Sequence, residues 1–161
     1  MALGTIESRR GYVLALLRML MGGIFIAVWA DNLRKGFYWP DGYADFLRDF
    51  TRGADLGFYK RFIDDVVIPN AAVFSYGQMV LELVVMGLFL LTGFLTPVAG
   101  VVAAGFSLNL LLSILGASEW PGTYLLMIAV CLTVALGQAG RTWGVDQMLA
   151  RRRPRPRLPV Y

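Results

Sequence analysis

Apolar residues gather into four long runs along this chain, Tyr12–Ala30, Asn70–Thr92, Val98–Leu115 and Thr123–Ala139. A run of roughly 17–25 such residues crosses a bilayer as a helix. The pattern predicts an all-α integral membrane protein, with a four-transmembrane-helix bundle over residues 1–150. The polar stretch 31–69 between the first two runs has a periodicity of its own. "DGYADFLRDFTRG" places Tyr43, Phe46, Leu47 and Phe50 on one helical face, with Asp41 as N-cap and Gly53 as the stop. "DLGFYKRFIDDVVIP" repeats the theme with Phe58, Phe62 and Val66 and ends before Pro69. Two short amphipathic helices are expected in an extracytoplasmic loop, lying on the membrane or capping the bundle. Their charged faces could equally dock a partner.

Composition sharpens this picture. Of 161 residues, 57% are hydrophobic, too many for an ordinary soluble domain of this length. The first run is too long for a signal peptide and carries Arg18, so it reads as a retained helix. Histidine is absent and Cys131 is the single cysteine, which excludes an internal disulfide, an iron–sulfur cluster and ordinary haem ligation by this chain alone. No metal site is expected. The net charge of +4 is concentrated in the basic Pro/Arg tail 151–161, "RRRPRPRLPVY". Beside membrane spans such a tail reads as a cytoplasmic flank that meets anionic lipid, not as a nucleic-acid site. The charge at Arg9, Arg10, Arg141 and the tail places both termini in the cytoplasm.

Polar residues inside the runs are the candidate chemistry. An unpaired charge at mid-bilayer costs about 2.5–3.5 kcal/mol or more. Counted inward from the ends of their runs, Glu82, Arg18 and Asn109 fall at similar depth on three helices, with Gln78 one turn from Glu82. An Arg18–Glu82 pair braced by Asn109 or Gln78 is therefore expected. It would either fix helix register or line a pocket for a small polar headgroup. Tyr38, Trp39, Trp120, Tyr124 and Trp143 fit aromatic belts at the two interfaces, and Cys131 a small buried position. Gly22, Gly87 and the pairs Ala99/Ala103 and Gly100/Ala104 suit close helix crossings. In "AGRTWGVD", Gly140 suits a helix C-terminus, Arg141 suits its negative end, and Asp146 would pair with Arg141 or cap "QMLA".

Three stretches, in order, resemble the DoxX/DoxD family. "ALLRMLMGGIFI" resembles its first span, "VLELVVMGLFLLTGFLTPVAG" its second span and turn, and "GQAGRTWGVDQML" its closing motif. The motif positions are Arg18, Gly22, Glu82, Gly93, Thr96, Gly140, Arg141 and Asp146. In one departure, Asn32 stands near the place of a lysine common in the family, and Lys35 follows one turn later. The resemblance implies a membrane subunit of an electron-transfer system, similar to the small subunit of a thiosulfate:quinone oxidoreductase, in a prokaryotic cytoplasmic membrane. It implies contact with membrane lipids and other membrane subunits, and quinone or lipid as the bound small molecule. Whether the chain itself catalyses is left open, and no residue is assigned a catalytic role. The alternative is a non-catalytic accessory subunit of a larger respiratory or photosynthetic complex. A small transporter would call for an inverted repeat or broken helix, and none is visible.

Overall fold

The computed structural model describes residues 2–52, 56–115 and 120–152. Gly53, Glu119 and the tail beyond Arg152 lie outside them. Among the described residues the fold is all-helical, with no strand. The elements are α1 (Ala2–Arg34), α2 (Pro40–Phe50), α3 (Gly57–Thr92), α4 (Thr96–Ile114), α5 (Gly122–Leu136) and α6 (Val145–Arg152). Within α1, α3 and α4 lie the three helices long and apolar enough to cross a membrane, whereas α5 is a shorter apolar helix of 15 residues.

The largest departure from the expected layout is α3. The second amphipathic segment and the second apolar run form one helical rod. Pro69 does not end it, because the chain there has already left α geometry. A π-helical turn at Ile63–Val67 and a 3-10 turn at Ile68–Asn70 precede the α-helical segment from Ala71. A second π-helical stretch spans Leu81–Phe89 and contains Glu82. The buried stripe in the first part of α3 is Tyr59, Ile63 and Val67, one residue on from the expected Phe58, Phe62 and Val66, which stay exposed. In α2, Trp39 takes the N-cap place and Pro40 opens the helix, with Asp41 in the first turn beside the positive end of the helix dipole.

Two apolar cores result. One lies among α1, α3, α4 and α5 and is built on Met21, Phe25, Met86, Leu90, Ala103, Cys131 and Val134. The other lies between α2 and the first part of α3 and is built on Phe37, Tyr38, Tyr43, Tyr59, Ile63 and Val67. Small residues set the closest crossings of the first core. Gly100 faces Ala135 and the Cys131 carbonyl, so α4 and α5 nearly touch backbones. Gly22 does the same for α1 and α3: a Cβ there would lie 2.5 Å from the Leu91 nitrogen and 2.9 Å from the Gly87 carbonyl oxygen. Gly22→Val is expected to cost about 2–3 kcal/mol by overpacking against backbone that cannot yield. Thermal unfolding of the detergent-solubilised variant checks this, with the open position Gly23→Val as the neutral comparison.

Candidate functional site

The crossing at Gly22 sets the register of α1 against α3. The two run antiparallel, so Asn32 falls level with Glu82 and Arg18 falls level with the turn after Thr92. The expected Arg18–Glu82 pair does not form. Along α1, Arg18 lies about 20 Å from Asn32, the residue that reaches Glu82. Depth counted from the ends of the apolar runs misplaced Arg18, because α1 begins ten residues before its apolar run, at Ala2, and the α3–α4 turn meets it at Arg18 rather than at Tyr12. The polar residues therefore divide between two sites at opposite ends of the bundle.

The first site joins the two cores. Glu82 is 1% exposed. Its Oε2 accepts hydrogen bonds from the Tyr38 hydroxyl and from Asn32 Nδ2, the latter at 3.4 Å. One turn along α3, Gln78 Oε1 accepts from the Tyr43 hydroxyl at 3.1 Å. Across the bundle, Asn109 Oδ1 accepts from the Tyr59 hydroxyl at 2.9 Å. Each polar side chain that stands out in α3 and α4 is thus met by a tyrosine from the segment between α1 and the apolar part of α3. Glu82, Gln78 and Asn109 are not bonded to one another. Tyr38 is buried rather than part of an aromatic belt, since the Gly36 turn, at φ 72°, folds Phe37 and Tyr38 back over the end of α1. Phe37 packs edge-on against Tyr38 and Tyr43, with ring centroids 5.3 and 5.1 Å apart. Trp29, on the same face of α1 as Asn32, packs against this core, and its buried indole N–H has no hydrogen-bond partner. No carboxylate–cation pair within 4 Å involves Glu82 among the described residues.

Burial holds the Tyr43 hydroxyl up at about 12, with Tyr59 and Glu82 adding to it. Tyr38 is raised as well, first by burial and then by its bond to Glu82. An unfolded tyrosine ionises near ~10. The stability these hydroxyls give is complete below that pH and is lost as pH rises through the folded value. The unfolding midpoint should therefore fall between about pH 10 and 12, and fall less steeply in Tyr43→Phe. Chemical unfolding in detergent across that window tests the sign.

The second site is a knot of turns. Arg18 is fully buried, and its Nη2 donates to the Trp143 carbonyl at 3.0 Å, while Nε and Nη1 have no partner. Asp146 is the carboxylate whose field acts on it. That carboxylate neither pairs with Arg141 nor caps its own helix. It caps α4, accepting from the Leu95 N–H at 2.8 Å and the Thr96 N–H at 2.9 Å. The Asp146 N–H donates to the Gly93 carbonyl at 2.8 Å. Gly93 has φ 70°, and a side chain there would overlap the Arg18 guanidinium and Gly144. Gly140 is not a helix terminator, since Gln138 takes the left-handed position after α5. Gly140 is instead pressed under Thr96 and Asp146, where a Cβ would collide with both side chains. Arg141 stays exposed at the rim.

No group of three or more His, Cys, Asp or Glu side chains suited to a metal occurs among the described residues. A family profile described as "TQO small subunit DoxD" matches residues 13–156. Neither the search of curated proteins nor that of solved structures finds a match.

Proposed function

The chain belongs to the DoxD family, small subunits of thiosulfate:quinone oxidoreductase, and from that premise we propose that it is the membrane subunit of such a complex, with the Glu82 site receiving the quinone headgroup. In this reading α1, the apolar part of α3, α4 and α5 are four spans of a prokaryotic cytoplasmic membrane. Both termini are cytoplasmic, and α2 with the start of α3 forms an extracytoplasmic cap.

The observation that carries the proposal is the buried Glu82 with its hydroxyl and amide donors, together with the Trp29 indole N–H, which lies on the same face of α1 as Asn32 and lacks an acceptor. A quinone presents a flat apolar ring and carbonyl oxygens that accept hydrogen bonds. The Trp29 N–H, buried without an acceptor, suits such an oxygen. Bound there, a quinone would take up two electrons and two protons. Glu82 is the group in this site able to hold and release a proton without a neighbouring cation, and the chain has no histidine to do so. Tyr38 and Asn32 fix its orientation. With a single, fully buried cysteine and no histidine, the chain needs a partner subunit to deliver electrons from the sulfur compound.

The test is gentle detergent extraction of the tagged chain from its own membranes, followed by two measurements: mass spectrometry of the associated subunits and quinones, and thiosulfate-dependent quinone reduction by the purified assembly. Bound quinone and turnover in an assembly with one small partner are expected. Recovery in fixed ratio with a large respiratory or photosynthetic complex, without thiosulfate turnover, would replace this reading with that of an accessory subunit.

A further inference from the structure

Beside the Arg18 knot the bundle end opens into a groove of about 960 Å³ that plays no part in the quinone reading. Its walls differ in character. Leu95, Val98 and Leu149 make an apolar side and are 45%, 56% and 44% exposed. Arg141 and Arg151 supply two cations. Among the described residues neither guanidinium is held in an ion pair. The one carboxylate in the groove, Asp146, has an oxygen bonded to each of the Leu95 and Thr96 N–H groups, so it does not answer the arginines. The apolar side continues along α4 to Val101, 56% exposed, away from the bundle end.

We propose that this groove is a binding site for an anionic phospholipid. The phosphate lies between Arg141 and Arg151, and an acyl chain follows Leu95, Val98 and Val101. Charge complementarity selects an anionic headgroup, since a cationic one would meet two free arginines. The contiguous apolar wall selects a lipid over a free phosphate, which would leave that wall unused. An interfacial arginine contributes about 1 kcal/mol to anionic lipid binding, so loss of both should weaken the site about 25-fold.

The probe is phosphatidylglycerol added to the delipidated complex in detergent micelles, with binding read by native mass spectrometry and by the thermal unfolding midpoint. The wild type should retain one tightly held phosphatidylglycerol and gain stability from it. Phosphatidylcholine and inorganic phosphate should give neither effect. R141Q/R151Q should lose the tight site, whereas substituting Gln for Arg153, Arg155 and Arg157 in the tail should keep it. Both substituted side chains are exposed, so folding is preserved, and the single variants R141Q and R151Q provide intermediate points. Equal binding of phosphatidylcholine would reduce the groove to ordinary annular contact. An equal shift with inorganic phosphate would make it a free-anion site. Unchanged phosphatidylglycerol binding by R141Q/R151Q would place the lipid elsewhere. Each of these three results overturns the proposal, and none of them depends on quinone turnover.

Discussion

Glu82→Gln should fold and assemble as the wild type does, yet reduce quinone about 100-fold more slowly or worse. Glutamine has the shape of glutamic acid, and its Oε1 still accepts from Tyr38 and Asn32, so both cores keep their contacts. It cannot release a proton. General acid–base groups contribute roughly 10²–10⁴-fold, which sets the size of the loss. The useful readout separates kcat from KM. A proton-handling residue depresses kcat and removes a limb of its pH profile, while a residue that only shapes the site raises KM. Tyr38→Phe removes a donor but leaves the carboxyl, and should cost much less, about tenfold or under, in line with one hydrogen bond of roughly 1 kcal/mol. If Glu82→Gln turns over within threefold of the wild type with an unchanged pH profile, Glu82 serves the fold alone.

Asp146→Ala should be the most destabilising single substitution at the opposite end, at about 3–5 kcal/mol. It strips the cap from α4 by leaving the Leu95 and Thr96 N–H groups without their acceptor, and it takes away the carboxylate whose field acts on buried Arg18. A buried cation left without its counter-charge is among the costlier defects a fold can carry. Arg18→Met in the same background should restore part of the loss, because the uncompensated charge goes with it. A double-mutant cycle on detergent-solubilised protein, read by thermal unfolding, measures the coupling. Strict additivity of the two substitutions would mean that Arg18 and Asp146 act independently.

How far these two sites could be read in advance follows from what a membrane makes conspicuous. Arg18, Gln78, Glu82 and Asn109 stand out because polar groups in long apolar runs are costly. Their partners do not stand out. Tyr38, Tyr43 and Tyr59 have hydroxyls that satisfy Glu82, Gln78 and Asn109, but a tyrosine in a loop passes equally well as interface belt or amphipathic stripe. Asn32 stands out in the sequence only as a departure from a motif, and its bond to Glu82 is a matter of helix register. Register is the quantity that run ends do not supply. It comes from the Gly22 crossing, which sends the two residues of the expected Arg18–Glu82 pair, each unusual in an apolar run, to different sites. The helical class and the apolar runs follow from hydropathy. The joining of 57–70 to the second run does not, because Pro69 is a breaker by every local rule and is tolerated only after a turn has already changed its winding.

The wider winding at Leu81–Phe89 has a consequence for how this chain tolerates length changes. A π-helical turn holds one more residue than an α-helical turn, so it behaves as an insertion absorbed without breaking the rod. Deleting one residue there would let the segment relax to α geometry with the helix on either side nearly in its present phase, whereas a deletion in the α-helical part at Ala71–Val80 would swing one side by about 100° relative to the other. In that second case Glu82 and Gly87 would keep their places against α1, while Tyr59 would turn away from Asn109. The wide-wound stretch is thus the part of α3 where a change of one residue disturbs its two ends least. A related chain one residue shorter at this place could hold both ends of the helix against the same partners.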